Sequence, residues 1–122
     1  MITATKIFSF AAAHYLPNHS GLCKNLHGHN YKLEITVGKD KLNSNSMIID
    51  FGKLKEIVNK EIIEKYDHSY LNEFFMVPTA EEMVIAFHSK LNIIFKELFL
   101  SLISVKLWET DTCYVEIKGE QK

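Results

Sequence analysis

Residues 27–37 read His27-Gly28-His29-Asn30-Tyr31-Lys32-Leu33-Glu34-Ile35-Thr36-Val37. From Tyr31 onward the side chains alternate: Tyr31, Leu33, Ile35 and Val37 fall on one side, Lys32, Glu34 and Thr36 on the other. A period of two marks a strand with one face buried. The same parity, carried backwards, puts His27 and His29 on the buried side. Residues 6–14 alternate more loosely, with Phe8, Phe10, Ala12 and His14 together. A turn-rich stretch, residues 17–25, separates the two strands, which are therefore expected to pair antiparallel. Three imidazoles, from His14, His27 and His29, then converge at one end of the sheet on its core face.

Working outward, residues 39–46 are polar and form a loop. Asp50 caps a helix whose apolar stripe is Leu54, Ile57, Val58 and Ile62. Thr79-Ala80-Glu81-Glu82, after Pro78, fits a capping box; the helix it opens carries Met83, Phe87, Leu91, Ile94, Phe95 and Leu98 at helical spacing. Strand patterning returns with Val105, Leu107 and Glu109 on one face. After an Asp111-Thr112 turn, Cys113, Val115 and Ile117 alternate with Tyr114, Glu116 and Lys118. The order ββααββ predicts an α+β fold: a four-stranded antiparallel sheet with two helices on one face, as a single domain over residues 1–122.

The chain has 122 residues, 47% hydrophobic and 24% charged, which suits one soluble domain with a real core. Such a chain leaves little room for a deep private pocket, so a sizeable ligand site needs help from another chain. A net charge of −1 argues against a nucleic-acid partner. All 14 basic residues are lysine, so no bidentate arginine clamp is available for an anion. Cys23 and Cys113 are the only cysteines, and residues 1–10 lack a secretory pattern. The most apolar stretch, residues 98–105, contains two serines and is too short to span a bilayer. A cytoplasmic setting with free thiols and no membrane partner is expected.

Three histidine nitrogens leave a fourth position open, the pattern of a catalytic zinc site; packed or surface histidines are the plain alternative. Imidazole also suits iron, copper and nickel. The run from Gly21 through His27 and His29 to Glu34 resembles the first motif of the cupins. Glu34, however, differs from His29 by an odd number and points away on a regular strand, and two long helices fit a jelly roll badly. Cys23, four residues before His27, is a candidate base or nucleophile, a fourth zinc ligand, or an inert small residue. Asp67-His68, at the predicted end of the first helix, is either an acid–base pair or a polar helix terminus. Glu109, on an apolar face, is either satisfied by a ligand with adjacent N–H donors or sits at a solvated strand end. Glu81 and Glu82 are assigned to capping, His19 to a loop, His88 to a helix surface and Cys113 to the core.

The combination Phe10-Ala11-Ala12-Ala13-His14, Cys23-x3-His27-Gly28-His29, Ile49-Asp50-Phe51, Asp67-His68, Pro78-Thr79 and Glu109-Thr110 resembles the 6-pyruvoyltetrahydropterin synthase family. Within it, the chain is most similar to the short bacterial and archaeal branch, the 6-carboxytetrahydropterin synthases of queuosine biosynthesis. The resemblance implies a tunnelling fold, with sheets joined into trimeric barrels and two trimers stacked as a homohexamer. It implies Zn2+ on His14, His27 and His29, Cys23 as the base, and Asp67 with His68 as an acid–base pair reaching a neighbouring subunit's site. Glu109 would anchor the pterin ring. The implied substrate is 7,8-dihydroneopterin triphosphate; the carboxy branch releases acetaldehyde and triphosphate, the pyruvoyl branch triphosphate alone. A non-catalytic zinc domain closed by Cys23 is the alternative from another class. Glu82 stands where the family usually has asparagine, and without arginine the triphosphate contacts are unassigned, Lys24 being the nearest basic side chain to Cys23 in sequence.

Overall fold

In the computed structural model, which describes residues 1–119, the alternating stretch lies in β2 (His27–Lys39). It pairs antiparallel with β1 (Ile2–His14) along its entire length. Opposed residues in such a pair share a face, so Phe8 with Leu33, Phe10 with Tyr31, Ala12 with His29 and His14 with His27 form successive rungs of one row. The apolar rungs are buried, and the row ends in the histidines.

β4 (Ser101–Thr110) pairs with the other edge of β2, setting Val105 against Ile35 and Leu107 against Leu33. β5 (Cys113–Lys118) closes a hairpin on β4, with Val115 opposite Leu107 and Ile117 opposite Val105. The sheet has five strands rather than four, in the order β3 (Ser69–Tyr70), β1, β2, β4, β5. The extra strand, β3, runs parallel to β1 at Ala12 and Ala13. Two residues are too few to carry a periodic signal, so only the approach of distant backbone creates it.

Asp50 caps α1 (Phe51–Val58) by accepting from the Gly52 N–H, and Leu54, Ile57 and Val58 turn inward as the stripe requires. The helix then passes through a π-helical turn (Asn59–Ile63) into α2 (Glu64–Tyr66), with Ile62 and Tyr66 buried. α3 (Ala80–Glu97) begins at Thr79, whose hydroxyl accepts from the Glu82 N–H at 3.1 Å. The return half of the capping box is not made, because the Thr79 N–H donates to the Val77 carbonyl. Met83, Phe87, Leu91 and Phe95 pack into the core; Leu98 lies beyond the last turn and is only partly covered.

Two sequence assignments are corrected. His88 is buried, because the inner face of α3 is wider than the apolar stripe alone and includes the row Val84–His88. Cys113 is exposed: it is the first residue after the hairpin turn, beyond the Leu107–Val115 rung where the apolar face stops.

Candidate metal centre

At the end of the core-facing row, the imidazoles of His14, His27 and His29 meet the carboxylate of Glu109, with one donor atom from each within 4.8 Å of all the others. His14 Nε2 lies 3.0 Å from His27 Nε2, and Glu109 Oε1 lies 3.0 Å from His29 Nε2 and 3.7 Å from His14 Nε2. Tetrahedral zinc with bonds of about 2.0–2.1 Å separates its ligand atoms by about 3.4 Å, so these spacings fit that ion. Glu109 follows Val105 and Leu107 on the core face of β4, and the pairing of β4 with β2 sets it beside the histidines.

Backbone carbonyls fix two of the rings. His14 Nδ1–H donates to the Pro78 carbonyl at 2.8 Å, and His27 Nδ1–H to the Asn25 carbonyl at 2.8 Å. A carbonyl only accepts, so each Nε2 carries a lone pair facing the other, a repulsive arrangement unless a cation stands between them. His29 Nε2 is buried and lacks an aligned hydrogen-bond partner. Burial lowers the pKa of His14 and of His29, keeping both in the neutral form that binds metal. The donor set therefore fits zinc on chemistry as well as spacing. Asn72 supports it from outside: its side chain accepts from the Tyr15 N–H and donates to the Tyr15 carbonyl, pinning the chain directly after His14.

Cys23 sits half-buried in a short 3-10 turn (Leu22–Lys24) and is not a member of the four-donor group; Glu109 takes the place that a fourth cysteine ligand would have had. Asp67 and His68 lie against the β1 edge. Asp67 Oδ1 accepts from the Ala11 N–H, and the His68 N–H donates to the Ala11 carbonyl. His68 adopts φ +60°, which folds its ring back so that Nδ1 lies 3.2 Å from Asp67 Oδ2. This is how neighbouring residues come to face each other. His68, Asn30 and the small residues Ala11, Ala13 and Gly28 line a pocket of about 420 Å³. A second pocket, of about 210 Å³, opens beside Glu109.

The family model described as 6-pyruvoyl tetrahydropterin synthase matches residues 3–120. The chain belongs to this family. A relative from Haemophilus influenzae named 6-carboxy-5,6,7,8-tetrahydropterin synthase is 36% identical, over 95% of this chain and 98% of its own. One of the same name from Rickettsia conorii is 37% identical over 96% of this chain and 100% of its own. Among solved structures, the 6-pyruvoyl tetrahydropterin synthase of Caenorhabditis elegans superposes with a TM-score of 0.83 at 28% identity, covering 98% of this chain and 96% of that one.

As a 6-pyruvoyl tetrahydropterin synthase family member, the chain has the α+β tunnelling-fold architecture, and its histidine–glutamate cluster is a candidate zinc centre. The sequence pointed to the three histidines, but read Glu109 as a ligand anchor or a solvated strand end, not as a neighbour of the metal donors. It also missed the Pro78 and Asn25 carbonyls and Asn72. Backbone carbonyls leave no mark on residue type, so nothing in the sequence could have revealed the first two. Among the described residues, no helix is long and apolar enough to cross a membrane.

Proposed function

We propose that this chain is a zinc-dependent 6-carboxy-5,6,7,8-tetrahydropterin synthase, a carbon–carbon lyase that converts 7,8-dihydroneopterin triphosphate to 6-carboxy-5,6,7,8-tetrahydropterin, acetaldehyde and triphosphate. The reading is carried by likeness over nearly the whole chain to relatives of that name, in a chain whose histidines form a zinc-compatible cluster.

His14, His27 and His29 would hold Zn2+, which would supply Lewis acidity toward the oxygens of the substrate's side chain. Cys23 is the base that moves protons on that side chain. His68, held by Asp67 with its proton on Nδ1, presents Nε2 for a second proton transfer in a neighbouring subunit's site. Glu109 accepts N–H bonds from the pterin ring. Triphosphate is met by lysine and backbone N–H groups, since the chain has no arginine.

The enzyme assembles as a homohexamer, a dimer of trimers, and works in the cytoplasm. The open β5 edge and the β1 edge, covered by β3 only at Ala12 and Ala13, support assembly through the sheet. The pyruvoyl activity is the second reading, favoured by the likeness to the nematode structure. Incubating zinc-loaded protein with 7,8-dihydroneopterin triphosphate separates the two. Acetaldehyde together with the carboxy product is expected; a pyruvoyl product without acetaldehyde would overturn the proposal.

A further inference from the structure

Cys23 rides on a loop that packing does not hold. Residues 17–26 are exposed, Cys23 alone among them being half-buried. A cavity of about 200 Å³, lined by Leu16, Asn18, His19, Val77 and Thr79, parts the loop from the segment that leads into α3. Hydrogen bonds at the neck therefore set its geometry. The Leu16 N–H donates to the Cys23 carbonyl at 2.8 Å, and the Leu16 carbonyl accepts from the His19 N–H at 3.0 Å. Among the described residues, no hydrogen bond joins residues 17–24 directly to the sheet or to α1, α2 or α3.

Tyr15, one residue before the neck, is held at both backbone groups by a single side chain. Asn72 Oδ1 accepts from the Tyr15 N–H and Asn72 Nδ2 donates to the Tyr15 carbonyl, each at 3.0 Å. A carboxamide can fill both roles at once because it carries a donor and an acceptor in one plane. The contact extends the pairing of β1 with β3, where Ala12 meets Ser69 and Ala13 meets Tyr70. The base beneath Asn72 is firm: Leu71 is fully buried, and its carbonyl accepts from the Phe74 and Phe75 N–H groups at 2.9 and 3.0 Å. His14 is fixed without this contact, by its rung with His27 and by the Pro78 carbonyl.

We propose that Asn72 is a positioning residue for Cys23. It acts along the chain, from its carboxamide to Tyr15, from Tyr15 to Leu16, and from the Leu16 N–H to the Cys23 carbonyl. The clamp thus sets where the thiol stands relative to the histidine cluster, although Asn72 itself touches neither. This rests on the reading of Cys23 as the base. A displacement of about 1 Å in a reacting group can cost about 10²-fold in rate, so a loosened neck has a large effect on turnover.

Two variants test the clamp. Asn72→Ala removes both bonds; Asn72→Asp keeps the shape and an acceptor for the Tyr15 N–H, but sets an oxygen against the Tyr15 carbonyl. Both should retain zinc by elemental analysis, lose kcat by at least about tenfold, and change KM by less than about threefold. Amide hydrogen exchange should quicken in the peptide covering residues 15–25 and stay at the wild-type rate along the β1–β2 ladder. A wild-type kcat, loss of zinc, wild-type exchange in the loop, or exchange quickened throughout the ladder would each overturn the proposal. Asn72→Asp keeps the test open if Asn72→Ala does not fold. Failure of the lyase reading shows separately, as missing acetaldehyde from the unmodified protein, while the exchange pattern needs no turnover and still decides the clamp.

Discussion

The clearest division of labour at the scale of single residues is between Cys23 and the histidines. Cys23 lies outside the donor group, so Cys23→Ala should keep its zinc, measured by elemental analysis, while turnover falls by at least about 10²-fold, the usual worth of a positioned base. Loss of the metal along with activity would instead make Cys23 a ligand. His14→Ala should lose the zinc itself, since it removes both a donor and the ring oriented by Pro78. The other thiol behaves differently. Hydrogen bonds from the Thr110 and Thr112 hydroxyls lower the pKa of Cys113, so its thiolate is populated at lower pH than an ordinary thiol's. In the Cys23→Ala variant, iodoacetamide labelling of Cys113 should therefore show a midpoint below 9.0, and Thr110→Val should raise it.

Elements deliver these residues, and their ends matter most. The α3 cap adjoins Pro78, whose carbonyl holds His14, so Thr79→Ala should cost about 1 kcal/mol in urea denaturation. At the other end of α3, Phe99 occupies a left-handed position, φ +60°, with the Leu100 N–H closing back on the Phe95 carbonyl. Its side chain is 83% exposed and contributes little burial. Phe99→Gly should raise stability by roughly 0.5 kcal/mol, the left-handed penalty less the extra unfolded-state entropy of glycine. The helix that leads to Asp67 was readable as a stripe, but its π-helical turn was not. Lys90 of α3 donates to the Glu61 carbonyl within that turn, a contact between segments far apart in the chain.

For the whole molecule, the proposed assembly through the sheet edges is tested by asking whether sites are shared between chains. If Cys23 and His68 act from different subunits, co-refolding inactive Cys23→Ala with inactive His68→Ala should restore activity, to about a quarter of wild type for random mixing in a symmetric assembly. No recovery in mixed oligomers would place both residues in one subunit's site. The sequence by itself determined the β1–β2 ladder, both long helices and their caps, and the convergence of three histidines, because each follows from periodicity within a few neighbouring residues. Tertiary structure alone decided the rest. It added β3, buried His88, exposed Cys113, set the imidazole tautomers through the Pro78 and Asn25 carbonyls, and brought Glu109 to the metal donors. Each of these depends on where strands end, how strands pair, or which distant backbone lies alongside. Such relations arise between segments once packed, and side-chain patterning within one segment does not encode them.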